Sequence, residues 1–402
     1  MPIYPNFELL AGQNKEKIEV SENINTKEEA KKKIDKLINL TIKAEENNNL
    51  NQAIFYLEQI ISLEKKFLGK NHPDVINTSD WIAFNKLSND LYEEAEIIFK
   101  KNIKLRRKVL GDMHPDQDLG FIGLGKIYEY RGFFKIAEEY FLKALTLKQE
   151  KGIDPFEYTS LLEMIGELYL TLNEFDKAEE YLKSSLEIKK QKLDNNDPQI
   201  LYLLNELGSL NEDRGSYKKA ESYFLESLEI AKKNNNEFDL HISYFYLGGF
   251  YKEIGLLDKA ENYYLKALSI REKLYGKEYY GLATTLNNLG EIYLIKGFHE
   301  KAKVYYLRSL SLREKELGEN HPDVSFNHMW LGDLYLKITN YEKAEDYYLK
   351  ALSIRKKQGI RVRQPLKSID VCLQSGGCLD PVFIDIIKSE INVKSVLFSE
   401  AA

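Results

Sequence analysis

The sequence has little of what most functional classes require. Two cysteines in 402 residues, Cys372 and Cys378, make no disulfide framework. Two thiols this close can bridge, but zinc needs two further ligands that no spacing supplies, so idle or buried thiols are expected. The six histidines include no HExxH pair, and His321 and His328 stand seven apart without an acidic residue at zinc spacing. No GxxxxGK[ST] loop, no strand-linked GxGxxG and no Ser-His-Asp or Cys-His arrangement is present. No catalytic residue, metal or cofactor is therefore expected. No run approaches the ~18 apolar residues of a membrane span, and the opening MPIYPNFELLAGQNKEKIEV lacks the cationic and apolar blocks of a signal peptide. One-sided charge is also missing: 57 Lys and Arg against 63 Asp and Glu give −6, scattered through both halves. That balance points to neither a nucleic acid nor an anionic membrane as partner. The basic run KKQGIRVRQPLK (356–367) reads as a helix end favoured by the dipole, then a linker, with an anion or membrane patch as the weaker alternative. At 43% hydrophobic and 30% charged, the chain is too apolar for disorder and too polar for a membrane protein. A soluble, cytoplasmic protein is expected.

What the sequence has is repetition. An alanine marks the period, at Ala53, Ala95, Ala137, Ala178, Ala220, Ala260, Ala302 and Ala344, with gaps of 42, 42, 41, 42, 40, 42 and 42. Twelve residues before it, an apolar residue and glycine recur in phase: Leu124-Gly125, Ile165-Gly166, Leu207-Gly208, Leu247-Gly248, Leu289-Gly290 and Leu331-Gly332. Tyrosine follows three residues on at Tyr128, Tyr169, Tyr251, Tyr293 and Tyr335. Each unit reads as two helices: the first carries Leu-Gly-x-x-Tyr, the second an alanine-aromatic-small-leucine stripe at spacings of three and four. Glycine costs about 1 kcal/mol in a helix, so a glycine at constant phase predicts close helix approach, with Gly290 and Ala302 making room where two backbones cross. The 27 tyrosines mostly fall at repeat phases and read as packing residues. Thr26 to Glu29 matches a capping box and places the first helix start there. The gap of 40 coincides with the second NNN, at 234–236, and predicts a local irregularity between the fifth and sixth repeats.

These repeats resemble tetratricopeptide repeats. The 42-residue period, the LGENHPDV linker and the ALSIREK helix end are similar to the kinesin-light-chain type. The resemblance covers residues 27–360. It implies an all-α fold, a right-handed superhelical solenoid of about eight helix-turn-helix repeats with a C-terminal helical cap. Residues 1–26 are expected to be a partly disordered extension, too short for the heptad coiled coil that joins kinesin light chains to a heavy chain. Residues 361–402 are expected to form the cap and tail, with helices over 366–374 and about 379–391, where apolar residues such as Leu379, Val382, Phe383 and Ile386 recur at helical spacing.

His-Pro-Asp occurs at 72–74, 114–116 and 321–323. In J-domains the same triplet stimulates a chaperone ATPase. Three copies in register with the repeat point instead to punctuation: proline needs no donor at a first helical position, and aspartate suits the helix N-terminus.

The resemblance also implies a concave groove lined by inward positions of each first helix. Carried onto this sequence, they include Glu163, Glu167, Tyr202, Asn205, Glu212, Asp213, Phe245, Asn287, Glu291 and Phe326. Over repeats two to eight these positions hold nine acids and three lysines. An acidic groove with apolar footholds suits a protein or peptide segment that is basic and carries apolar anchors, with ordinary solvated helix faces as the competing reading. The carboxylate-clamp pattern for acidic chaperone tails is not met. The expected function is a non-catalytic interaction scaffold, and the alternative is the sensing subunit of a switch whose effector enzyme is a separate chain.

Overall fold

A computed structural model describes residues 24–357 apart from 112, 113 and 115. The two expected cap helices and the extension before residue 24 lie outside the described residues. Among those described there are sixteen α-helices and two 3-10 turns, without a strand. The chain divides into two compact units, at Asp194 and Asn195. The N-terminal unit holds α1 (Lys27–Glu46), α2 (Leu50–Leu68), α3 (Pro73–Ser88), α4 (Tyr92–Leu110), α5 (Gln117–Tyr130), α6 (Phe134–Glu150), α7 (Thr159–Thr171) and α8 (Phe175–Lys192). The C-terminal unit holds α9 (Pro198–Asp213), α10 (Tyr217–Asn234), α11 (Glu237–Glu253), α12 (Leu257–Tyr275), α13 (Ala283–Ile295), α14 (His299–Leu317), α15 (Pro322–Lys337) and α16 (Tyr341–Lys357). Within each unit every helix packs on the next in the chain.

Local chemistry sets the helix ends. Thr26 accepts from the Glu29 amide while the Glu29 carboxylate accepts from the Thr26 amide, closing the expected capping box. In the His-Pro-Asp linkers, proline is the first helical residue of α3 and α15. The histidine adds what the sequence reading omitted: Nδ1 of His72 accepts from the Asp74 amide, and Nδ1 of His321 from the Asp323 amide, both at 3.2 Å. Asp154 and Asp197 do the same before Pro155 and Pro198, at 3.0 and 2.8 Å. The residue before proline is thus an N-cap acceptor, and histidine and aspartate exchange there. Between α10 and α11 two residues suffice: Asn235 takes the left-handed conformation and Asn236 caps α11, which accounts for the gap of 40. In the turns inside each pair, Gly215 and Gly297 are left-handed. Asn48, Asp90, Asn173 and Thr339 adopt the same backbone in other repeats.

The core follows the repeat. All eight marker alanines are fully buried. The glycine makes room for a side chain four residues beyond the alanine rather than for the alanine's backbone. A Cβ on Gly290 would stand 2.5 Å from the Tyr306 ring, and one on Gly125 2.4 Å from Phe141. In the fourth repeat the filler is Leu182, with its Cγ at 2.7 Å. Tyrosines do pack: Tyr128 on Tyr140, Tyr169 on Tyr181, Tyr251 on Tyr263, Tyr293 on Tyr305 and Tyr335 on Tyr347 are near-parallel stacks. The lysine before the alanine covers four of the first rings, with Lys177, Lys259, Lys301 and Lys343 at 4.6–5.3 Å. Tyr128, Tyr169, Tyr251 and Tyr293 donate to a glutamate one repeat back, Glu96, Glu138, Glu221 and Glu261.

Candidate partner-binding face

In the N-terminal unit several acids at or near the expected groove have internal partners. Asp80 and Arg106, both fully buried, form an ion pair, with Asn102 donating to Asp80 and Arg106 donating to Asn77. Asp118 pairs with Lys148 at 2.8 Å. Glu163 pairs with Lys189 at 2.6 Å and accepts from Ser185. Glu163 therefore holds α7 to α8, and a partner's cation would have to displace a lysine that is itself buried. Glu167 is different. Its side chain is exposed, yet desolvation holds its carboxyl above the ordinary range, with Lys126 opposing and Glu163 adding to the rise.

In the C-terminal unit Glu291 pairs with Lys252 at 2.6 Å, while Glu212 lies near Asp213 and Glu253. Burial pushes the Glu212 carboxyl up to about 7, and Asp213 and Glu253 reinforce the rise against Lys252. Lys252 is already engaged, donating to Glu291 at 2.6 Å and to Asn288 at 2.8 Å. Lys252 thus pairs with Glu291 of α13 and opposes Glu212 of α9, beside which Asp213 and Glu253 of α9 and α11 also stand. Apolar groups stand elsewhere on the first helices. Phe245 is half-buried with its ring 5.5 Å from Tyr264. Tyr202 and Phe326 are 36% and 45% exposed. The Tyr202 hydroxyl lies 3.3 Å from Asp239, and burial with that carboxylate pushes it up to about 12.

Asn205 and Asn287 are placed otherwise than a surface lining would require. They are 1% and 5% exposed, because each sits where its helix packs on its neighbours. Asn287 accepts from Asn327, which also donates to Ser309 and accepts from Arg313. The Asn287 Nδ2 has no partner, and neither amide atom of Asn205 has one. A buried unpartnered polar group costs roughly 1–3 kcal/mol. Along α9 the spacing 202, 205, 209, 212 is one helix face, so the Asn205 amide lies in the row that begins with Tyr202 and ends with Glu212.

Two models described as tetratricopeptide repeat match residues 157–233, 239–303 and 281–357, and residues 83–116. Together they span more than half of the chain. The chain belongs to the tetratricopeptide repeat family. No curated protein matches it. Among solved structures, the apo form of RapI is 17% identical, covers 81% of this chain and 98% of its own, and has a TM-score of 0.58. The apo form of the quorum sensor NprR from B. thuringiensis is 15% identical over 81% of this chain and 99% of its own, with a TM-score of 0.50. A signal transduction ATPase with a tetratricopeptide repeat sensor, from Pyrococcus horikoshii, is 18% identical over 90% of this chain and 56% of its own, at 0.52. At these identities the likeness is one of fold.

The buried ion pairs of this tetratricopeptide repeat protein were legible, and the sequence reading passed over them. Eleven residues after the marker alanine stands a base in six repeats: Arg106, Lys148, Lys189, Arg271, Arg313 and Arg355. A cation at constant phase on a packed helix needs a fixed counter-group. In the N-terminal unit that group is a carboxylate; Arg313 and Arg355 find Asn327 and Ser325. Among the described residues no helix is long and apolar enough to cross a membrane, and no cluster of three metal-ligating side chains occurs.

Proposed function

We propose that the protein is a non-catalytic interaction scaffold. Its partner-binding face is the row of first helices in the C-terminal unit, and its ligand is an extended basic segment with apolar anchors. The observation that carries this is the set of carboxylates near the engaged Lys252: Glu291, paired with it, and Glu212, beside Asp213 and Glu253. Burial first, then Asp213 and Glu253, hold the Glu212 carboxyl high against Lys252, and a ligand cation placed there would favour its charged form. Phe245, half-buried, and the more exposed Tyr202 and Phe326 offer apolar footholds. Selection from a random peptide library on the immobilised protein tests this. Enrichment of Lys or Arg beside Ile, Leu, Val or aromatic residues is expected; enrichment of acidic peptides, or of none, would overturn it.

A second reading is the sensing subunit of a switch. What favours it is that NprR is described as a quorum sensor and the P. horikoshii protein as carrying a repeat sensor. A separate enzyme co-purifying in fixed stoichiometry would support it, and a varied set of clients would not.

A further inference from the structure

The second helices of the C-terminal unit carry a stripe that the reading above leaves unused. Five residues after the marker alanine stand Leu225, Leu265, Leu307 and Leu349, on α10, α12, α14 and α16, each 37–42% exposed. The same phase in the N-terminal unit holds Glu58, Lys100, Leu142 and Lys183. A single exposed leucine needs no account, but four at one phase on successive second helices make a patch. On α12 and α14 the positions one turn to either side are exposed and uncharged: Asn262, Ser269, Val304 and Ser311. We propose that this stripe is a self-association surface, which receives a second copy of the chain about a two-fold axis running along the helices.

The second helices lie side by side. Leu228 of α10 and Leu268 of α12, each one turn beyond its exposed leucine, share one buried cluster, and Leu310 of α14 shares another with Ile354 of α16. Arg308, next to Leu307, pairs with Glu272 of α12 at 2.6 Å. Four helices, each about 10 Å across, span about 40 Å, and the stretch from Val304 to Ser311 rises about 10 Å, or about 17 Å with its side chains. The footprint of about 700 Å² approaches the ~800 Å² per partner of a stable interface. Charge selects the occupant and the axis. At α10 the stripe is bordered by Glu226 and Glu229, at α16 by Lys350 and Lys356, all exposed. The pairs within these helices, Glu229 with Lys233 and Lys350 with Asp346, are surface pairs that hold little energy. An axis along the helices lays α10 on α16 of the other copy and α12 on α14, so leucine meets leucine and Glu226 meets Lys350 on both sides. An axis across them would lay α10 on α10 and set acid against acid. An apolar centre with opposite charges at its two ends is complementary to itself.

Sedimentation velocity of the full chain from about 1 to about 100 μM tests this, and the wild type is expected to pass from monomer to dimer within that range. Leu265→Lys with Leu307→Lys should weaken association about tenfold or more. Its unfolding curve at the lowest concentration should match that of the wild type, because both side chains lie at the surface. Glu226→Lys should also weaken association. Combining it with Lys350→Glu should restore the dimer, whereas combining it with Lys183→Glu, off the stripe, should not. A wild type that stays monomeric at the highest concentration overturns the proposal, whatever else then covers the leucines. So does a dimer that survives the two leucine substitutions, or a Glu226→Lys defect that Lys350→Glu leaves unrepaired.

Discussion

The two units run the same repeat and differ in where they put their charge. In the N-terminal unit, Asp80, Asp118 and Glu163 are spent on Arg106, Lys148 and Lys189. In the C-terminal unit the matching bases meet neutral groups, Arg313 with Asn327 and Arg355 with Ser325, while Glu212 and Glu291 lie near Lys252. Asp80 and Glu163 stand where Asn205 and Asn287 stand in the C-terminal unit, so one position of the repeat carries charge in the first unit and none at these two places in the second. A carboxylate with a buried cation behind it is structure; one without is available to a ligand.

The largest effect should come from breaking a buried pair. Arg106→Met strands the Asp80 carboxylate, which costs about 3–5 kcal/mol, seen as lost amide protection in α3 and α4. The matching Arg313→Met, facing neutral Asn327, should cost about 1–2 kcal/mol. Equal losses would erase the contrast between the units. Next comes the glycine crossing. Gly290→Ala drives a Cβ against the rigid Tyr306 ring and should cost about 1–3 kcal/mol, whereas Gly166→Ala meets the more adaptable Leu182 and should cost less. Thermal or denaturant unfolding of the two variants checks the order.

A pH titration separates the units more gently. Glu212 holds its proton up to about 7 in the folded chain, against an ordinary value of 4.5. Its contribution to stability is present below this window and is lost as pH rises through it. Glu212→Gln should therefore be more stable than wild type above pH 7, by about 1 kcal/mol after solvent screening, with the difference gone below pH 4.5. Glu163→Gln should destabilise at pH 7, because it leaves Lys189 buried without its counter-ion. The smallest effect tests what the units share. Tyr293→Phe removes the bond to Glu261 and should cost about 0.5–1.5 kcal/mol. Tyr335→Phe should be nearly neutral, because the matching residue one repeat back is Lys303, which offers no acceptor.

How far the sequence could be read follows from the range of each signal. The alanine period, the helix pairs and the Thr26 capping box depend on neighbours a few residues away, and all of them hold. The role of His72 and His321 as caps was missed because aspartate in other linkers hid the common function, an acceptor before proline. Groove positions carried over by register fall on the partly exposed Glu212, Phe245 and Glu291, and also on the buried Asn205 and Asn287 and on Glu163, which is paired with Lys189. Register fixes where a side chain starts on its helix. What lies across the interface depends on residues 22 to 40 positions away, as with Glu163 and Ser185 or Asn287 and Asn327.

The central claim is that the free charge of the C-terminal unit, and not the paired charge of the N-terminal unit, receives the ligand. It is tested most directly by the affinity of one library-selected basic peptide for three forms of the full chain: wild type, Glu212→Gln with Glu253→Gln, and Glu163→Gln. The account predicts at least a tenfold loss at low salt for the double variant and no change for Glu163→Gln while it remains folded. Unchanged binding by the double variant, or an equal loss in both, would contradict it.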